Sequence, residues 1–416
     1  MTTSTRPQTA IDRAPGNWRP AFSRLLANRD LRLFLLVLPL LAFVVVTVVV
    51  PVAQFLYRAV DNDLLAENLP LTAASLASWA PDQGVPGEAS FRALAHDIHN
   101  AREAGTLGQV AQALNQQITG VRNSFIKAAL LVDEPDGVTP EELMQAIPAL
   151  GETPLWALLQ SAGSRWTDFY LLQSIDLERN AGGEIINVSA DRAIFREIIW
   201  RTVVISVNVT LICILLSLPV AHVLANARAP WSNLLLALVL FPLWTSLLVR
   251  TVSWIIILQG EGPVNATLLF LGIVDEPLRL VYTRGSLYIA MVQVLLPLMI
   301  LSILSVLLKL PKELLRAATS LGANWWQGYW RVLLPLLSPG ILTGSAIVFV
   351  FALGYYITPT LIGGPRDQML SSYVAQFTNK TLNWGLAGAL AVQLMALLLI
   401  AGLGWAAFRK LQGARR

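Results

Sequence analysis

Six runs of mostly apolar residues divide this chain, at roughly 33–57, 199–225, 233–258, 286–308, 338–358 and 385–408. A helix needs about 20 such residues to cross the hydrocarbon core of a bilayer. Inside that core the backbone must satisfy its own hydrogen bonds, so runs of this length read as spanning helices. Only 13% of the chain is charged, about half the usual share of a soluble domain. The expected fold is therefore an all-α membrane protein with six transmembrane helices. The first run is longer than the 7–15 residues of a signal-peptide core, and no small-x-small cleavage site follows it. It reads as a retained anchor, 31–57.

Lysine and arginine placement orients the spans. Arg6, Arg13, Arg19, Arg24, Arg29 and Arg32 precede the first run, and Arg228 follows the second. Lys309, Lys312, Arg316 and Arg331 lie between the fourth and fifth, and Arg409, Lys410, Arg415 and Arg416 end the chain. Six spans put all four segments on one side, which reads as the cytoplasm, with both termini there. The tail 1–30 is polar with Pro7, Pro15, Gly16 and Pro20 and is expected to be disordered. A second short tail covers 411–416. The segment 58–196 holds most of the acidic residues and is long enough for a small domain. It is expected as a mostly helical extracytoplasmic insertion between the first and second spans. Ala93, Leu94, Ile98, Leu107, Val110, Leu114 and Ile118 mark an amphipathic hairpin broken near Gly105. Thr139-Pro140-Glu141-Glu142 is a capping box, with proline in the first helical turn. Trp156, Leu158, Leu159, Trp166, Phe169, Tyr170 and Leu172 are further core candidates. Cys213 is the only cysteine and lies in a span, so no intrachain disulfide forms.

The loop 309–339 reads KLPKELLRAATSLGANWWQGYWRVLLPLLSP and carries two helices' worth of pattern. Pro311 suits a first helical turn. Leu314, Leu315, Ala318 and Leu321 then recur at helical spacing. Gly322 suits a left-handed stop, and Asn324 caps a second helix through Trp325, Trp326, Tyr329 and Trp330. Pro335 is expected to end or kink it. Such a surface suits docking; the alternative is a helix lying in the headgroups with its tryptophans at interfacial depth.

These residues resemble the cytoplasmic motif of ABC importer permeases: E-A-A, three residues, G, nine residues, then I-x-L-P. Arg316-Ala317-Ala318, Gly322, Val332 and Leu334-Pro335 stand at those spacings. FPLWTSLLVRTVSWIIIL at 241–258, with Gly262, Asn265 and Leu271-Gly272 after it, and the stretch 211–227 ending LPVAHVLANA are similar to the spermidine/putrescine-type branch. The resemblance covers about 197–410 and implies a permease core with a cytoplasmic coupling loop at 309–337. It implies that Gly322, Ala323, Asn324 and Trp325 sit in a cleft of an ATP-binding subunit, with Arg316, Ala317, Ala318 and Pro335 framing them. The motif glutamate is replaced by Arg316, and Glu313 one turn earlier is the nearest acid.

Arg250 lies inside a span, where an arginine is costly unless it faces the bundle interior or snorkels. Trp244, Trp254, Gln293, Tyr355, Tyr356 and Gln393 are the other candidates to line a pathway; helix packing or headgroup anchoring is the alternative for each. Gly340, Gly344, Gly354, Gly385 and Gly388 suit close helix approach. The spans carry no well-buried acid of the kind an ion-coupled carrier uses. His96 and His99 lack a third ligand at helical spacing and read as a solvated helix face. The sequons at Asn187 and Asn379 read as chance matches. There is no G-x-x-x-x-G-K-[ST], H-E-x-x-H or G-x-S-x-G, hence no P-loop, zincin or serine-hydrolase chemistry and no catalytic residue. No basic-aromatic cluster lies on a soluble face, so nucleic acid is not an expected partner; the basic excess favours anionic lipid headgroups.

The resemblance implies a permease subunit of an ATP-driven importer in a bacterial inner membrane. It also implies an ATP-binding subunit dimer holding ATP and Mg, a second permease or a second copy, and a substrate-binding protein outside. A polyamine-like cation is the first expectation for the solute. This chain itself binds no cofactor and no metal. A membrane sensor or a secondary carrier with an extracytoplasmic domain is the alternative.

Overall fold

The computed structural model describes residues 29–180, 182–311 and 313–413. The tail 1–28 with Arg6, Arg13, Arg19 and Arg24, and also Lys312, Arg415 and Arg416, lie outside the described residues. The chain divides into two units, 1–55 and 56–416. The first unit contains the helix Arg29–Val44 and a π-turn Val45–Val49, with the helix Val50–Tyr57 continuing the same apolar rod.

In the second unit, residues 58–194 build a helical domain with its own core. Its ends run side by side, because Asn62 N–H donates to the Arg165 carbonyl at 3.1 Å and Thr167 N–H to the Val60 carbonyl at 2.9 Å. Two helices, Glu88–Glu103 and Leu107–Gln117, form the expected hairpin, and Gly105 turns it with φ +72°. Leu94, Ile98, Val110 and Leu114 are buried there with Phe125, Leu143 and Trp156. The Trp156 indole donates to the Leu150 carbonyl at 2.8 Å, so its polar edge is satisfied in the core. The Thr139 box forms as read: Glu142 N–H donates to Thr139 Oγ1 at 3.3 Å, and Thr139 N–H to Glu142 Oε2 at 3.0 Å.

Two expectations for this domain need correction. Trp166 is 62% exposed, packed edge-on against Tyr57 rather than in the core. The His96–His99 face is not simply solvated, since Asp97 between them is buried. Its carboxylate accepts from Thr72 N–H and Thr72 Oγ1, both at 2.7 Å, and so caps the helix Pro70–Ser75 from a neighbouring helix. Burial pushes the Asp97 carboxyl up, and the hydrogen bonds from Thr72 and Leu71 oppose that shift. His96 pairs with Asp136, and a ring nitrogen of His99 faces the Val132 carbonyl. No cluster of metal-ligating residues occurs among the described residues.

Below that core lie a short helix, Phe169–Gln173, and an antiparallel hairpin, Leu177–Arg179 with Ile185–Asn187, in register Leu177↔Asn187.

Among the described residues, five helices are long and apolar enough to cross a membrane. They are Leu36–Tyr57, Phe195–Asn226, Arg284–Leu307, Trp325–Gly354 and Trp384–Ala407. A sixth run is broken: Trp231–Trp244 and Leu247–Phe270 meet at 101°. The expected straight span 233–258 is thus two half-helices. Pro242 removes a hydrogen bond near the end of the first, and Ser246 begins the second. The count is six if the bent pair is one crossing.

The bundle core joins Phe195–Asn226, Arg284–Leu307 and Leu334–Gly354 through Ile205, Val209, Met299, Ile303 and Val348. Lipid tails are as apolar as these side chains, so close approach holds the helices together rather than water exclusion. Gly340 and Gly344 permit it. A Cβ on Gly344 would stand 2.6 Å from Met299 Sδ, and one on Gly340 3.0 Å from the Ser302 carbonyl oxygen. Gly354 has no such neighbour.

Candidate functional site

The loop begins where Arg284–Leu307 ends. The helix Glu313–Ser320 follows Pro311. It stops in a double bond pattern at Gly322: Gly322 N–H donates to the Thr319 carbonyl and Ala323 N–H to the Ala318 carbonyl, each at 3.0 Å. Gly322 has φ +88°, the left-handed conformation this stop requires. Asn324 then caps the next helix reciprocally. Gln327 N–H donates to Asn324 Oδ1 at 2.8 Å, and Asn324 N–H to Gln327 Oε1 at 3.2 Å.

The second helix is not ended by Pro335. It runs from Trp325 through a π-turn, Tyr329–Leu333, and on to Gly354 as one rod. The π-turn shifts the bonding register, with Leu334 N–H reaching back to the Tyr329 carbonyl, and Pro335 enters at the first positions of the following α-segment. A proline there removes no bond that a first turn would make. The span expected at 338–358 therefore begins thirteen residues earlier, inside the loop.

One face of this unit is aromatic. Trp325 stacks on Tyr329 at 5.6 Å, and Trp326 lies 5.5 Å from Trp330. Leu321 is 89% exposed, Trp325 68% and Trp326 60%. Inward, Leu333 and Leu337 enter the bundle core, and Tyr329 meets His222 edge-on at 6.4 Å. His222 has a buried Nδ1 with no partner among the described residues. Its role at this joint was not legible in the sequence, where it is a lone histidine in an apolar run. Lys309, Glu313, Arg316 and Arg331 are exposed, and none makes an ion pair among the described residues.

The span residues divide by surroundings. Arg250 sits just past the break, and its Nη2 donates to the Thr245 carbonyl at 2.9 Å, at the end of the first half-helix. A cation there faces the negative end of that helix. Its Nε and Nη1 are buried without partners among the described residues. Trp254 and Gln293 are brought together, the indole donating to Gln293 Oε1 at 3.1 Å. Trp244 and Tyr356 are exposed. Gln393 donates to Ser174 Oγ at 3.2 Å and so ties the last helix to the inserted domain.

Other contacts make the same join. The Tyr170 ring covers Gly385 so closely that a Cβ there would overlap it. Burial pushes the Tyr170 hydroxyl up to about 12, and it donates to Gln116. Asp176, in the left-handed region at φ +56°, accepts from the N–H groups of Ile194, Phe195 and Arg196. It thereby caps Phe195–Asn226 from 19 residues upstream of the helix's first residue. No local sequence signal marks that cap.

A bundle of apolar helices, one of them broken, with an exposed helix–Gly–helix unit continuous with another, is the architecture of a multi-pass membrane protein. Known proteins refine this. The family described as binding-protein-dependent transport system inner membrane component matches residues 214–409. The spermidine/putrescine transport system permease protein PotB of Haemophilus influenzae is 33% identical over 205 residues, 49% of this chain and 72% of that protein. PotB of Escherichia coli is 33% identical over 202 residues, 48% and 73% of the two chains. In the crystal structure of a bacterial alginate ABC transporter with its alginate-pentasaccharide-bound periplasmic protein, one chain shows 18% identity and a TM-score of 0.43, covering 51% of this chain and 76% of that one. The chain belongs to the binding-protein-dependent ABC importer permeases. The inserted domain lies outside the matched residues 214–409.

Proposed function

We propose that this permease forms the translocation pathway of an ATP-driven importer for a small solute, and that the loop 309–337 receives the ATP-binding subunits. The observation that carries this is the helix–Gly–helix unit, whose stop at Gly322 and cap at Asn324 hold a short helix rigidly on the end of a spanning rod. A rigid helix held at both ends moves its spans when the subunits beneath it close. Glu313, Arg316, Ala317, Ala318, Gly322, Ala323, Asn324, Trp325 and Pro335 make up that element. ATP and Mg belong to the partner, since the chain has no P-loop.

The basic loops and tails support a topology with both termini and this element in the cytoplasm and the domain 58–196 outside. There it meets a substrate-binding protein or caps the bundle. A second permease or a second copy completes the pathway, which opens outward on ATP binding and resets on hydrolysis. Arg250, Tyr355, Trp254 and Gln293 line it, with Trp244, Tyr356 and Gln393 at its margins. The relatives named as spermidine/putrescine permeases favour a polyamine-like cation as the solute.

The test is co-purification of the full chain with candidate ATP-binding and substrate-binding subunits from the same genome. Wild type is expected to retain a Walker-type ATPase with substrate-stimulated activity, and Gly322→Asp to lose it. A folded, monodisperse chain that retains none would reject the importer reading.

A further inference from the structure

We infer that the partner surface seated on this loop is an apolar cleft rimmed with carboxylates. The inference rests on the ATPase-docking reading above and adds the chemistry of the counterpart.

The segment 309–331 carries four basic residues, Lys309, Lys312, Arg316 and Arg331, and one acid, Glu313. Lys309, Arg316 and Arg331 are exposed and form no ion pair among the described residues. Elsewhere the described arginines of the soluble domain mostly find an acid: Arg92 with Glu88, Arg102 with Asp133, Arg165 with Asp63 and Arg179 with Asp168. The loop departs from that habit. Its cations stand in sequence on either side of Leu321, Trp325, Trp326 and Trp330, an apolar strip 49–89% exposed among the described residues. Exposed apolar area of this kind, ringed by charge, marks an interaction surface. Tryptophan and arginine together are the side chains most often found to dominate such contacts.

Two occupants fit a basic aromatic strip: an acidic protein surface or anionic headgroups. The geometry favours the protein. Leu321, the most exposed apolar residue of the unit, stands at the sharp corner made by Gly322, between two helices of different direction. A helix lying in headgroups keeps its apolar residues along one straight face. A corner that projects both an apolar tip and flanking cations fits a concave, acid-rimmed receptor.

The experiment titrates the full-length chain in nanodiscs with the purified candidate ATP-binding subunit. Arg316→Glu and Arg331→Glu are expected to weaken association about tenfold or more each and to flatten its salt dependence, since reversal sets like charges together. Arg316→Gln should fall between. A fluorophore on Leu321→Cys, with Cys213 buried, should shift its emission on adding ATPase and stay unchanged when anionic lipid replaces zwitterionic lipid. ATPase binding that is unchanged or tightened by Arg316→Glu overturns the acidic rim and leaves the docking reading intact. An emission shift from anionic lipid alone overturns the protein occupant. Loss of ATPase binding by wild type itself would overturn both.

Discussion

Replacing Asp176 with alanine should loosen the joint between the inserted domain and the helix Phe195–Asn226. The carboxylate is 4% exposed and accepts three backbone N–H groups: Oδ1 from Ile194 at 3.0 Å and Phe195 at 2.9 Å, Oδ2 from Arg196 at 2.7 Å. Losing an N-cap costs about 0.5–2 kcal/mol. An alanine held at φ +56° adds about 1–2 kcal/mol, because aspartate and asparagine tolerate the left-handed region and alanine does not. The sum is about 1.5–4 kcal/mol. Asparagine keeps the backbone tolerance and one acceptor oxygen, so Asp176→Asn should lose about half as much. Cys213 supplies the assay. It is the sole cysteine and fully buried in the bundle core, so a thiol-reactive fluorogenic dye reports unfolding on heating. At about 2 °C per kcal/mol for a chain of this size, Asp176→Ala should melt about 3–8 °C below wild type. An alanine variant that melts with wild type, or an asparagine variant as weak as alanine, would refute the capping argument.

Gly385→Ala should destabilise by about 1–3 kcal/mol, because its Cβ overlaps the Tyr170 ring. Gly354→Ala, which meets nothing within 4 Å, should melt within about 0.5 kcal/mol of wild type in the same dye assay. Arg250→Met should melt at or above the wild-type temperature, since it removes a buried guanidinium with two unpartnered nitrogens, yet lose solute uptake; a large drop in melting temperature would make Arg250 a structural pin instead. Asp97 gives a pH dependence. Its folded-state carboxyl is raised, so the native domain binds more protons than the unfolded chain between the ordinary carboxylate range and the raised value. Stability of the inserted domain should therefore fall as pH rises through that window, and Asp97→Asn should remove the slope in hydrogen exchange of the helix Glu88–Glu103.

Much of this was legible because the signals were local. Pro311, Gly322 and Asn324 are start, stop and cap signals whose physics acts within four residues, and the helices form where they point. The Thr139 box is of the same kind. What escaped was non-local or masked by apolarity. Hydropathy is indifferent to direction, so the 101° break after Trp244 is invisible in a run that stays apolar across it. Pro335 misled because a π-turn ending at Leu333 reset the bonding register just before it. Asp97 and Asp176 carry no local signal of burial, and each is buried because it caps a helix that is remote in sequence. The hairpin Leu177–Arg179 with Ile185–Asn187 is too short to show an alternation.

The continuity of Trp325–Gly354 has a mechanical consequence. Thirty residues at ~1.5 Å each make a lever about 45 Å long. Its tightest contact, Gly340 and Gly344 on Met299 and Ser302, is a natural fulcrum. That point divides the lever into arms of ~26 Å toward Trp325 and ~18 Å toward Gly354. A push of about 3 Å on the aromatic end then carries the far end about 2 Å the opposite way, at ~1.5 Å of rod per residue. The far end adjoins the Tyr355 carbonyl, which accepts from Ser371 Oγ at 2.6 Å. A shift of that size would part this bond, so work done on the tryptophans would reach the far end of the rod as a broken hydrogen bond.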